Sequence, residues 1–306
     1  MPTRADILIT GANGFIGRGL IPLLLGRGKH LRGLYRRPQP AAPAGVETAI
    51  GDLLQAETLG PALAGIDCAI YLVHSLAAGR DRFRELDRQA AENFVAAAEQ
   101  AGVRRVIYLS GLGERSGPLS EHLASRCDVV AILAGGRFQT TTLRAAIILG
   151  AGGASFELLR YLVNTQPMLL DAAVLDTPCQ PIALADILHY LAGCIDEPRT
   201  AGGSFDICGP EVLSYRDLLE RFARASGSVN LFVPVPRIPA ALVGLWVGLF
   251  SRQDRAVVEA LLEGLGNPVV CREQRIRELL PFKLTPLDKA ITLALQTAGA
   301  SRGHHA

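Results

Sequence analysis

The feature that most constrains this chain is Thr10-Gly11-Ala12-Asn13-Gly14-Phe15-Ile16-Gly17, which follows directly on the apolar stretch Ile7-Leu8-Ile9. Glycines spaced this way, between a strand-like run and an amphipathic segment, predict a strand, a tight turn and the first turn of a helix. In that geometry backbone N–H groups and the positive end of a helix dipole converge on one point, which suits a phosphate. Gly11 permits the turn, Gly14 keeps a Cβ out of the path of a pyrophosphate, and Gly17 lets helix and strand pack closely. Asn13, Phe15 and Ile16 share the loop and join the three glycines as candidate dinucleotide contacts. The bland alternative is a glycine-rich turn with no ligand.

The pattern beyond this turn alternates. Residues 6–10, 31–35, 48–50, 68–73, 103–109 and 140–149 read as strands. Residues 15–26, 53–64, 82–101 and 120–134 read as helices, the last with Ser120 as its N-cap. Such repetition implies an α/β chain, a Rossmann-type doubly wound parallel sheet with ligands at the carboxyl ends of its strands. After Gly150 the rhythm changes. Residues 155–163 look helical; 182–194 begin as a short strand and continue as a helix capped by Asp186; 204–208 look like a returning strand and 215–225 like a helix. The proline-broken segment 233–236 is expected to be extended, and the last 70 residues mostly helical. We therefore expect a dinucleotide-binding domain over 1–150, with strand material from about 180–210 returning to its sheet, and a smaller, mostly helical substrate-covering region over 151–306.

Composition narrows the function classes. Of 306 residues 49% are hydrophobic, and the net charge is only +2, with no basic block of the kind that binds nucleic acid. The six cysteines form no CxxC pair and no metal-type cluster with histidine, so no metal site is assigned. They read as buried, reduced thiols of a cytoplasmic protein. The polar start before the first strand leaves no room for a signal peptide. The apolar run 239–250, between Arg237 and Arg252, is too short to span a bilayer. It reads as a buried or pocket-lining helix, with peripheral membrane contact as the alternative.

TGANGFIG near the N-terminus, Gly51-Asp52 after the third strand and Tyr108-Leu109-Ser110-Gly111 ending the fifth resemble the extended and atypical short-chain dehydrogenase/reductases. YLVHSL (71–76), LSEHLASR (119–126), LRAAIILGAGGASFELLRYL (143–162) and QPIALAD (180–186) are similar to an atypical subgroup labelled NAD(P)H-binding, related in turn to NmrA-like and complex I accessory-subunit proteins. The resemblance covers nearly the whole chain and implies a nicotinamide dinucleotide. An NAD-preferring relative offers an acid at the end of the second strand. Here stand Arg36 and Arg37, which suit a 2′-phosphate, so NADP is favoured and NAD kept as the alternative. Asp52 resembles the residue that contacts the adenine amino group; its other reading is an N-cap for 53–64. Leu53, and Leu72 to His74, are expected beside the adenosine and nicotinamide riboses.

The resemblance also implies a Tyr-x-x-x-Lys pair on the helix after the fifth strand, with a serine at that strand's end. Ser110 matches the serine, but the pair is replaced by His122 and Arg126, on one helix face at i, i+4. Arg126 suits ribose hydroxyls and cannot relay a proton. His122 suits general acid–base work, or is a helix residue with no chemistry. His189 reads as structural. Three functions stay open. One is an NADP(H)-dependent oxidoreductase acting on an apolar carbonyl, alkene or quinone-like molecule, with Phe156, Leu159, Met168, Leu169 and 239–250 as candidate lining. A second is a non-catalytic NADP(H)-binding sensor or assembly partner of another protein, and a third is an epimerase or dehydratase with a retained cofactor. The chain is expected to be a monomer or a homodimer joined through helices 82–101 and 120–134.

Overall fold

A computed structural model describes residues 6–39, 43–74, 82–112, 121–166, 168–171, 173–234 and 265–303. In chain order the main sheet takes strands β1 (Ile7–Thr10), β2 (Leu31–Tyr35), β3 (Val46–Ile50), β4 (Cys68–Tyr71), β5 (Arg105–Gly111) and β6 (Gln139–Ala145). Around them lie helices α1 (Phe15–Gly26), α2 (Leu59–Leu63), α3 (Phe83–Ala101) and α4 (Glu121–Ala134). Then follow β7 (Ile148–Leu149), α5 (Ala154–Thr165), β8 (Met168–Asp171), β9 (Pro178–Cys179), β10 (Ile182–Ala183) and α6 (Leu184–Asp196). The described part closes with β11 (Ser204–Ile207), β12 (Leu213–Ser214), α7 (Tyr215–Ser226), β13 (Leu231–Pro234), α8 (Arg275–Leu279) and α9 (Leu287–Gly303).

The main sheet is parallel and seven-stranded, in the order β3-β2-β1-β4-β5-β6-β11. Strand order reverses between β1 and β4, so the loop after β1 lies at the topological switch point. β1 and β4 are buried on both faces, which is why their sequences are continuous apolar runs and do not alternate. Ile7, Ile9, Ile70, Ile107 and Leu143 pack on α1 and α6; Leu8, Leu34, Ala69, Tyr71, Val106 and Tyr108 pack on α2, α3 and α4. The returning strand β11 pairs in parallel with β6, placing Phe205 and Ile207 in the α1–α6 layer. A separate core joins α5, α7 and α9, with Phe156 against Phe222 at 5.4 Å between ring centroids. α7 starts with a capping box in which the Ser214 side chain and Asp217 satisfy each other's backbone N–H groups.

Several expectations are corrected. The helix foreseen over 53–64 is a short 3-10 turn (Ala56–Thr58) running into α2, because Asp52 and Thr58 close a tight loop first. The sixth strand breaks after Ala145, and Ile148–Leu149 leaves the main sheet to pair with β10. Asp186 does not cap α6. It is buried, and its carboxylate accepts from the Thr285 N–H and hydroxyl, fastening the approach to α9. Residues 265–286 are mostly irregular around α8, not helical. Ser120 and the apolar run 239–250 lie outside the described residues, and among the described residues no helix is long and apolar enough to cross a membrane.

The cysteines divide. Cys68, Cys179 and Cys194 are free and buried; burial pushes the first two thiols up to about 12 and the third to about 11, so they hold little thiolate near neutrality. Cys208 and Cys271, also expected as free thiols, instead form a disulfide across 63 positions of sequence. Tertiary contacts bring them together: Cys208 directly follows β11, and Val269 pairs with Cys179 and packs with Leu112, Ala146 and Cys208. A bond closing a loop of that length restricts the unfolded chain, so reduction is expected to cost about 2–4 kcal/mol of stability. Denaturation with and without a thiol reductant checks this, with a Cys271→Ser variant expected to match the reduced protein.

Candidate functional site

The glycine turn is built by steric exclusion. Gly11 sits at φ +65°, a left-handed conformation that L side chains rarely adopt, with the Leu72 carbonyl and the Val73 side chain packed over it. Gly14 N–H donates to the Gly11 carbonyl at 2.8 Å, closing the turn. At Gly17 a Cβ would stand 2.4 Å from the Gly11 carbonyl oxygen and 2.7 Å from that of Ala12, so helix and turn touch with no room for any side chain. α1 follows Gly14 as its N-cap, with no side-chain cap and no acid in its first turn. Its leading N–H groups therefore meet no negative charge of the chain's own, the arrangement in which an anion completes the helix end. Asn13 and Gly14 are exposed, Gly11, Phe15 and Ile16 half-buried, and Gly17 buried.

The sequence reading missed Thr10. Its hydroxyl donates to the Ile70 carbonyl at 3.4 Å and accepts from the Leu72 N–H at 3.0 Å. This bridge continues the β1–β4 pairing beyond the last register pair, Ile9–Ile70, and holds Leu72 and Val73 over Gly11. Leu72 is half-buried and His74 exposed where the chain leaves β4. At the end of β2, Arg36 and Arg37 are both exposed, next to a fully buried Tyr35. Gly51 N–H donates to the Tyr35 carbonyl, so the Gly51-Asp52 corner sits against the end of β2. There Asp52 is half-buried and accepts from the Leu54 N–H through one carboxylate oxygen. The Thr58 hydroxyl braces both its N–H and its carbonyl. Leu53 is buried, and its carbonyl accepts from the Asn93 amide of α3 at 2.8 Å, a second contact that no local pattern announces. The glycine turn, the two arginines, Asp52-Leu53 and Leu72–His74 thus collect at the carboxyl ends of β1, β2, β3 and β4.

The proposed chemical groups are distributed differently. Ser110 is buried near the end of β5, on the face covered by α3 and α4. In register it stands beside Arg144 of β6, whose guanidinium pairs with the buried carboxylate of Asp206 of β11 at 2.7 Å. Arg126 of α4 is half-buried, and its Nη1 donates to the Tyr108 hydroxyl at 3.4 Å. Residue 122 lies one turn earlier on α4, so the i, i+4 relation to Arg126 holds in the helix. Phe156 and Leu159, expected to line a substrate pocket, are buried in the α5–α7–α9 core; Leu169 is buried as well, and Met168 is exposed. His189 packs on the Phe282 ring at 4.1 Å, and burial, aided by Arg27, lowers its pKa. It lies among core contacts of α6.

The missing Cβ at Gly17 has a direct consequence. Gly17→Ala is expected to destabilise the protein by about 1–3 kcal/mol, because backbone and not a flexible side chain must move. It is also expected to abolish nicotinamide dinucleotide binding, checked by a thermal melt and a ligand titration on the same preparation.

Comparison with known proteins agrees with this geometry. Residues 11–145 match a family described as NAD(P)H-binding. A 3-beta-hydroxysteroid dehydrogenase of Mycolicibacterium neoaurum is 34% identical over 112 residues, 33% of this chain and 31% of that protein. The chain thus spans about a third of the length of the first curated relatives it matches. The 2-alkyl-3-oxoalkanoate reductase of Stenotrophomonas maltophilia (strain K279a) is 25% identical over 304 residues, covering 86% of this chain and 89% of that protein. Among solved structures, a nucleoside-diphosphate-sugar epimerase from Staphylococcus aureus superposes with a TM-score of 0.77 at 17% identity, over 94% of this chain and 99% of that one, a likeness of fold. Residues 11–145 thus form an NAD(P)H-binding domain of Rossmann-like fold, in a chain whose relatives include reductases and whose fold is shared with epimerases.

Proposed function

We propose that this protein is an NADP(H)-dependent oxidoreductase acting on an apolar small molecule with a carbonyl, alkene or quinone-like centre. The observation that carries the cofactor preference is the end of β2. Two exposed arginines stand there with no acid, beside a helix N-terminus that is itself uncapped and acid-free. A guanidinium matches a 2′-phosphate through charge-assisted hydrogen bonds, whereas an NAD site needs an acceptor for ribose hydroxyls. Bound nicotinamide supplies or accepts the hydride. The chain's own groups hold it and manage the proton. Ser110 orients the substrate oxygen, His122 exchanges a proton with it, and Arg126 donates to ribose. A guanidinium is no proton relay, so the proton falls to His122, an imidazole suited to general acid–base work. The apolar substrate is supported by the relatives' names, which specify a hydroxysteroid and an alkylated oxoalkanoate.

A second reading is a non-catalytic NADP(H)-binding protein that senses redox state or assists assembly of a partner. What favours it is the absence of the tyrosine and lysine at 122 and 126.

Titration of NADPH and NADH into wild type and Arg36→Ala tests the cofactor assignment. The variant is expected to lose about 1.5–3 kcal/mol of NADPH affinity, the worth of a hydrogen bond to a charged group, with NADH unchanged. Equal, arginine-independent binding of the two overturns it. With a 2-alkyl-3-oxoacid as substrate, Ser110→Ala and His122→Ala are each expected to lower kcat by about 10²–10⁴ while leaving cofactor affinity in place. Turnover indifferent to both substitutions overturns their roles. Tight cofactor binding without turnover in the wild type selects the second reading.

A further inference from the structure

Between α3, α4 and the sheet lies a set of buried polar side chains that the chemistry above does not use. Tyr71 of β4 and Tyr108 of β5 are register partners in adjacent parallel strands, so their rings rise from the same face, edge to face with 5.7 Å between centroids. Phe94 of α3 closes on Tyr71 at 5.0 Å. Above them the Ser125 hydroxyl of α4 donates to the buried carboxylate of Asp87 on α3 at 3.0 Å. Next in sequence, Arg126 gives one guanidinium N–H to the Tyr108 hydroxyl. The phenol of Tyr71 is pushed far above its ordinary value, first by burial, then by Tyr108 and Asp87, with the Arg126 guanidinium working the other way. The guanidinium thus bonds one phenol and lies within electrostatic reach of the other.

A tyrosine beside a fixed cation has the composition of the catalytic pair that 122 and 126 lack. Tyr108 cannot take the tyrosine's part, because it is 0% exposed and has no surface to offer a substrate. What its oxygen offers is an acceptor. A guanidinium carries five donors in a rigid plane, so fixing one orients the others. We propose that Tyr108 is the positioning residue for Arg126: its buried hydroxyl anchors the guanidinium, while the Ser125–Asp87 bond sets the rotation of α4, so that the remaining donors are presented to the cofactor. The inference rests on the reading of Arg126 as a cofactor-binding group. An arginine holds phenol and ligand through donors fixed in one plane, where a lysine's three donors sit on a freely rotating ammonium.

A double-mutant cycle on the full-length protein tests it, with NADPH affinity as the readout and thermal melts alongside. Arg126→Ala is expected to weaken NADPH binding about tenfold or more. Tyr108→Phe is expected to weaken it about three- to tenfold, the worth of one hydrogen bond, and to add nothing in the Arg126→Ala background. A purely structural role for the hydroxyl would lower the melting temperature in both backgrounds and lower affinity equally in both; that additive result overturns the proposal, as does a Tyr108→Phe protein that binds like wild type while Arg126→Ala does not. If Arg126→Ala itself binds normally, the reading of Arg126 fails and the proposal with it, a result distinct from additivity. Ser125→Ala serves as the second probe should Tyr108→Phe not fold: its loss of affinity is expected only when Arg126 is present, and the same loss in both backgrounds overturns the proposal.

Discussion

The structure depends on one close approach: α1 lies against the turn that precedes it with no atom between, because position 17 carries no Cβ. That contact sets where the helix axis points, and hence where its free N–H groups converge. It also requires the turn itself, with Gly11 in the left-handed region and the Gly14 N–H returned to the Gly11 carbonyl. The Thr10 hydroxyl then fills in for the main-chain ladder where β1 and β4 part. A single packing distance thus connects the switch point of the sheet, the open helix end and the position of Leu72 and Val73 above it.

Charge inside the sheet is handled by pairing. Arg32 points from the middle of β2 into the α2 layer, where its guanidinium bonds the Ala62 and Ala64 carbonyls and Glu47. Arg144 and the buried Asp206 pair across β6 and β11, and Asp206 also accepts from the Arg272 N–H. Removing one partner of such a set leaves a buried charge alone, which is far more damaging than the set is stabilising. The Arg144–Asp206 pair fastens the chain around Arg272 to the β11 edge of the main sheet, near the disulfide.

Replacing Tyr-x-x-x-Lys by His-x-x-x-Arg changes what each partner can do. In the proposed mechanism the cation at 126 keeps a role in binding, while the proton is assigned to the imidazole at 122. Tyr108 becomes intelligible in this light, since a guanidinium has donors enough for an internal anchor and a ligand at once.

Much of this was legible before any coordinates. The apolar runs of β1 and β4, the glycine spacing and the arginines after β2 are local signals, and local sterics decide them. So the order of strands and helices, the parallel sheet and the cluster of residues at its carboxyl edge could be read from the chain. The Gly51-Asp52 loop, the short α2 and the break after Ala145 could not, because each is decided by a competing contact: Thr58 against Asp52, and β7 against β10. Nor could the burial of Phe156 and Leu159, whose helical spacing is the same whether they line a pocket or a core. By itself the sequence determined the architecture and the dinucleotide turn. Only the tertiary structure decided the Cys208–Cys271 bond, the anchoring of Leu53 by Asn93 and the seat of Arg126 on Tyr108, because each joins residues far apart in sequence, on elements whose relative placement depends on the packing of the whole sheet.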